Sequence, residues 1–199
     1  MNIIKPILLA SLLTPGFCLA EASNFNYVEI DYLQQKIDIL GGDVDFNGFE
    51  LSGSYEVNDE VFVSARYADV SLDEDVPGLK ADVDGYALGV GYIFGSNSTA
   101  TVFGELSYVD QSAKASDGLT GTSAKADADG ISAGFGVRMN TSERTELNFG
   151  LSYVDFDEGG ASLGYVEFVF EFVEDFSGTL NFASSEGDTS AGFGVRYSY

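Results

Sequence analysis

Apolar and polar residues alternate along this chain in ten short runs, a period of two that a β-strand imposes and an α-helix cannot satisfy. Val28, Ile30 and Tyr32 share a face of the first run, and Phe49, Leu51, Tyr55 and Val57 a face of the second. The spacing returns at residues 61–67, 86–94, 102–108, 131–139, 147–153, 166–172, more weakly at 180–182, and at 191–199. Three segments also recur almost verbatim. Leu106-Ser-Tyr-Val-Asp110 returns as Leu151-Ser-Tyr-Val-Asp155, and Lys80-Ala-Asp-Val-Asp-Gly85 as Lys125-Ala-Asp-Ala-Asp-Gly130, both 45 residues later. Ala133-Gly-Phe-Gly-Val-Arg138 returns as Ala191-Gly-Phe-Gly-Val-Arg196. A unit of that size with an internal period of two is a β-hairpin with its loops.

The opposite face of these runs is small and charged: Glu29, Asp31, Glu50, Ser52, Arg66, Gly89, Gly91, Glu105, Ser107, Arg138, Glu167, Glu171 and Arg196 all lie on it. Alternation alone does not say which face meets water. Three features place lipid on the apolar side. Aromatic residues mark the strand ends, with Tyr32, Tyr67, Tyr86, Tyr108 and Tyr153 near one rim and Tyr55, Tyr92, Phe94, Tyr197 and Tyr199 near the other, as expected at two membrane interfaces. Tight connections at residues 58–60, 95–98, 140–143 and 174–177 alternate with mostly longer ones around Gly41, Pro77, Ser116 and Gly159. The sequence also ends on an aromatic within an alternating strand. In hydrocarbon an open sheet edge leaves N–H and C=O groups without partners, so the sheet must close. The expectation is an all-β, transmembrane, antiparallel up-and-down barrel of ten strands, or of eight if the runs near 166–182 are misread.

At the start of the chain, Lys5, an apolar run over residues 7–13, Pro15-Gly16 and Cys18-Leu19-Ala20 have the three-part form of a secretory signal. Residues 1–20 are expected to be cleaved, leaving a barrel domain over 21–199. No later apolar stretch reaches the 18 or so residues of a membrane-spanning helix. A formal charge of −23 disfavours nucleic acid, whose phosphates demand a basic footprint.

The series of strands resembles the small porin-like outer-membrane proteins, the broad group that includes OmpA-type and OmpX-type barrels. The likeness runs from Asn26-Tyr-Val-Glu-Ile-Asp-Tyr32 through Gly85-Tyr-Ala-Leu-Gly-Val-Gly-Tyr92 to Ala191-Gly-Phe-Gly-Val-Arg-Tyr-Ser-Tyr199. It implies an integral protein of the cell outer membrane, monomeric, in contact with lipid and lipopolysaccharide. It also implies that Phe193, Val195, Tyr197 and Tyr199 form the terminal signal read by the barrel-assembly machinery. The best-known small members have eight strands, so no single member's activity transfers.

The chemistry on offer is limited. The chain has no histidine, so a Ser-His nucleophile and a well-supplied transition-metal site are both missing. Glu29, Glu105 and Glu167 face Arg66, Arg138 and Arg196 across a narrow lumen, where ion pairing that fills the interior is the expected role. Asp82 and Asp84, with Asp127 and Asp129, resemble the first half of a calcium loop and are candidates for loosely bound Ca2+ or Mg2+ at the outer rim; they lack the bidentate Glu that completes one. Gly89-Val-Gly91 and Gly134-Phe-Gly136 relieve crowding on the concave face and are not phosphate cradles. No cofactor and no enzymatic activity are expected. The function expected is envelope structure or a narrow, cation-preferring pore. The alternatives are a soluble periplasmic or secreted barrel holding a hydrophobic ligand, and a carboxylate-based outer-membrane hydrolase.

Overall fold

The computed structural model describes residues 24–39, 42–73, 78–97, 99–118, 121–157, 159–185 and 188–199. The expected signal segment lies outside them. Ten strands follow in the described residues: β1 Tyr27–Ile39, β2 Gly42–Asn58, β3 Val61–Leu72, β4 Leu79–Ser96, β5 Ala100–Asp117, β6 Thr122–Ser142, β7 Thr145–Phe156, β8 Gly159–Val173, β9 Phe176–Ser185 and β10 Asp188–Ser198. Each pairs antiparallel with its neighbours in sequence, and β1 closes on β10 through pairs such as Glu29 with Arg196 and Tyr32 with Phe193. Closure leaves no edge at membrane depth, as hydrocarbon requires.

The connections on the terminal side are tight. Strands β2, β4, β6 and β8 each carry a register shift just before turning, at Glu56/Asn58, Ile93/Gly95, Asn140/Ser142 and Glu171/Val173. Such bulges tighten the twist at a barrel rim. At the opposite end the structure departs from the sequence reading. The segments around Ser116 and Gly159, expected in loops, are strand: β5 runs to Asp117 and β8 begins at Gly159. The Asp-rich motifs are strand too, Asp82 and Asp84 in β4 and Asp127 and Asp129 in β6. The reason is that Ala81, Val83, Ala126 and Ala128 keep the period of two between the charges, so polarity hides a strand that the spacing permits.

A belt of exposed apolar residues circles the barrel, including Ile30, Leu51, Leu88, Leu106, Phe135, Leu151, Phe168 and Val195. Aromatics border it. Tyr32 lies with its ring centroid 5.5 Å from those of Phe49 and Phe193, and Tyr86 lies 6.3 Å from Tyr108 at the upper rim. At the lower rim Tyr197 contacts Phe176 and Tyr199 at 5.0 and 6.1 Å.

At the upper tyrosines the two faces exchange character while each residue keeps its side. Outside, Ile30 and Tyr32 give way to Gln34 and Lys36; inside, Glu29 and Asp31 give way to Leu33 and Ile37. The same exchange occurs in β5, where exposed Leu106 and Tyr108 are followed by outward Asp110, Ser112 and Lys114, and buried Glu105 and Ser107 by Val109 and Ala113. An aromatic followed by an aliphatic marks the level on several strands: Tyr32-Leu33, Tyr67-Ala68, Tyr86-Ala87, Tyr108-Val109 and Tyr153-Val154. Below it the outer solvent is hydrocarbon. Above it the outer solvent is water, and the hydrophobic effect turns the apolar side chains inward.

Candidate functional site in the barrel lumen

Three layers of side chains fill the lumen. Nearest the chain termini, Phe25, Phe62, Ile93, Phe103 and Tyr165 form a buried aromatic cluster. Phe25 precedes β1 and folds across the mouth, stacked on Phe62 at 4.0 Å and edge-on to Phe103 at 5.6 Å. Its N–H donates to Glu56 Oε1 at 2.9 Å. Glycines on the facing strands make room for these rings: a Cβ on Gly91 would fall within the Phe62 ring, and one on Gly136 would strike Phe103 and the Tyr165 hydroxyl.

The middle layer is ionic. Arg196 donates through Nε to Glu29 Oε2 at 2.5 Å and through Nη2 to Glu167 Oε1 at 2.8 Å, and its guanidinium lies 4.7 Å from the Tyr27 ring centroid. Asn148 donates to the other Glu167 oxygen at 2.5 Å. Asp31 accepts from Thr179 at 3.0 Å and from Asn181 at 2.7 Å. Arg66 pairs with Glu50 at 3.2 Å, and Glu105 accepts from Ser64 and Ser107 at 2.6 and 2.8 Å. Beside Glu105, Arg66 and Ser107 is a cavity of about 20 Å3. The outer layer is apolar: Leu33, Ile37, Phe46, Val70, Val83, Val109, Val154 and Phe156 pack together with Ala68, Ala113 and Ala161.

Of the six lumen charges singled out in the sequence, Arg196 brings Glu29 and Glu167 together. Arg66 takes Glu50, which that set omitted, and Glu105 is held by hydroxyls. Arg138 lies among aromatics, its guanidinium 4.0 Å from the Phe25 centroid and 5.4 Å from Phe103, a cation–π arrangement. Both apolar layers escaped the sequence reading. Phe62, Phe103 and Tyr165 sit in phase with the lumen face, opposite glycines, and that pairing is the signal that would have found them.

The rim carboxylates do not converge: among the described residues no three acidic side chains form a metal-holding group. Asp82 accepts from Ser71 at 2.9 Å, Lys114 sits 3.3 Å from Asp84, and Lys125 sits 2.8 Å from Asp127. The hydrogen bond from Lys125 holds the Asp127 carboxyl below its ordinary pKa. Phe193, Val195, Tyr197 and Tyr199 all project outward from the last strand and its end.

No curated protein matches the chain in sequence. Among solved structures it is similar to the transport unit of the autotransporter AIDA-I from Escherichia coli, with a TM-score of 0.58 at 14% identity, covering 97% of this chain and 96% of that one. It is similar also to the attachment invasion locus protein Ail of Yersinia pestis, with a TM-score of 0.51 at 18% identity, covering 91% of this chain and all of that one. At such identities the likeness is one of fold. A family model, that of the outer membrane protein β-barrel domain, matches residues 9–176. With that match spanning most of the sequence, and a closed barrel whose apolar belt faces outward, this chain belongs to the outer membrane protein β-barrel domain family.

Proposed function

We propose that this outer-membrane barrel serves the envelope structurally, with a lumen that does not conduct. The observation that carries this reading is the layering of the lumen. An ion crossing it would meet an aromatic cluster, a hydrogen-bonded ionic layer and an apolar cluster in succession. The cavity of about 20 Å3 beside Glu105 has room for about one water, far from a continuous hydrated path. Of the two roles open from sequence, structure or cation path, the filled interior supports the first. The outward aromatics of the final strand support entry into the membrane through the barrel-assembly machinery.

Planar-bilayer recording tests the reading. Repeated insertions of purified barrel are expected to leave the baseline flat in concentrated KCl. Uniform current steps that scale with inserted protein would overturn the proposal and favour the cation path.

A further inference from the structure

Strands β5 and β6 rise together to the pair Asp117 and Thr122, whereas the pairing of β6 with β7 stops at Gly130 and Phe156. Above that level, among the described residues, β6 pairs with a strand on one side only. The direction of its free groups follows from one hydrogen bond. Asn140 N–H donates to Thr99 O at 2.9 Å, and the β5–β6 register continues from there without a shift. Even-numbered residues of β6 therefore bond to β5, and odd-numbered ones turn N–H and C=O to the other side. Asp129 meets Asp157, the residue after the last β6–β7 pair, so Ser123, Lys125 and Asp127 present an open antiparallel edge, a template for another strand.

The side chains along the edge select the strand it fits. Lys125, Asp127 and Asp129 are exposed on the outward face; Ala124, Ala126 and Ala128 alternate with them, beside Ala115, Ala113 and Gln111 of β5. We propose that the partner is the same edge of a second copy, paired antiparallel about Ala126. In that register Lys125 of each copy lies across from Asp127 of the other, Ser123 across from Asp129, and Ala124 across from Ala128. Sliding one strand by two residues sets Lys125 against Lys125 or Asp127 against Asp127, and directly opposed like charges destabilise a sheet. Charge thus selects this register over its neighbours. The neighbouring strand adds to the match, because Lys114 lies beside Lys125 and Asp110 beside Asp129, setting a basic upper patch against the partner's acidic lower one.

Topology sets the geometry of the assembly. In every copy β6 runs from the outer tip toward the membrane, so antiparallel β6 edges belong to barrels that point at one another. The contact joins two facing membranes, and each barrel remains a monomer within its own. Between Tyr108 and Asp117 β5 advances nine residues. At roughly 3.4 Å each that is roughly 30 Å of strand, enough to raise the edge above the tyrosine ring.

The test uses the chain folded into phosphatidylcholine vesicles with outer ends displayed, read by light scattering. Wild-type vesicles are expected to cluster. Vesicles carrying Lys125→Asp, or those carrying Asp127→Lys, should stay dispersed alone and cluster when mixed, because every cross pair then joins Asp to Lys; the rescue shows that both variants are folded. In a Cys18→Ser background, Ala126→Cys should cross-link under oxidation, since a non-hydrogen-bonded antiparallel pair brings its Cα atoms to about 4.5 Å, within disulfide range. Ala124→Cys should not. Dispersed wild-type vesicles, clustering that Lys125→Asp leaves intact, mixtures that stay dispersed, or equal cross-linking at 124 and 126 would each overturn the pairing.

Discussion

Replacing Leu88 by Arg abolishes assembly of the barrel or lowers its stability by about 2–4 kcal/mol, the penalty for a guanidinium facing lipid near the bilayer midplane. Leu88 is 55% exposed in the middle of β4, between Tyr86 and Tyr92, where the outer surface is otherwise apolar. Asp110→Arg is the matched control. Asp110 lies on the outward face of β5 just above Tyr108, directly across from Asp129, so an Arg there meets water and a carboxylate. The control is expected to fold normally and to gain slightly from removal of a like-charge pair. Heat-modifiable migration and urea titration in lipid vesicles measure both; equal tolerance at the two positions would show that the belt does not face hydrocarbon.

The second large effect comes from the middle of the lumen. Arg196→Met leaves Glu29 and Glu167 buried without their shared cation, at a cost of about 3–5 kcal/mol. Methionine fills similar volume, so the loss is electrostatic more than steric. Adding Glu29→Gln and Glu167→Gln to Arg196→Met is therefore expected to recover most of the stability, because no charge is then left buried without a partner and an amide at 167 keeps an oxygen to accept from Asn148. If the single substitution proves neutral in the same urea titration, the three side chains do not act as one network.

Much of this architecture is legible in the sequence, for a physical reason. A strand with lipid on one side must be apolar at every second position, so the ten runs, their outward residues such as Leu88 and Leu106, and closure by β1 and β10 all follow from period and solvent. The upper half was harder to read. There the outer solvent becomes water, and Asp82, Asp84, Asp127 and Asp129 look like loop while remaining in strands that alternate with Ala and Val. The inversion is nonetheless written in the chain at Tyr32-Leu33, Tyr108-Val109 and Tyr153-Val154, where two apolar residues meet and the apolar set changes sides.

The charge partners were not legible, because period two gives a side chain's face but not its height. Arg66 could have reached several carboxylates; strand stagger sets it on Glu50 and places Arg138 over Phe25. Phe25 lay hidden for another reason. It precedes the first run, and only the closed mouth of the barrel gives it a pocket.

The exchange of faces at the tyrosine ring is the claim on which the membrane position, the apolar outer layer and the overhang of β4 to β6 all depend. Spin labels placed one at a time at Leu106, Tyr108, Ser112 and Lys114, in a Cys18→Ser background, follow one outward face of β5 through that level. The prediction is high accessibility to oxygen and low accessibility to a water-soluble nickel chelate at Leu106 and Tyr108, with the order reversed at Ser112 and Lys114. Chelate access at Leu106 equal to that at Lys114 would contradict the account, because it would put water where the structure requires lipid.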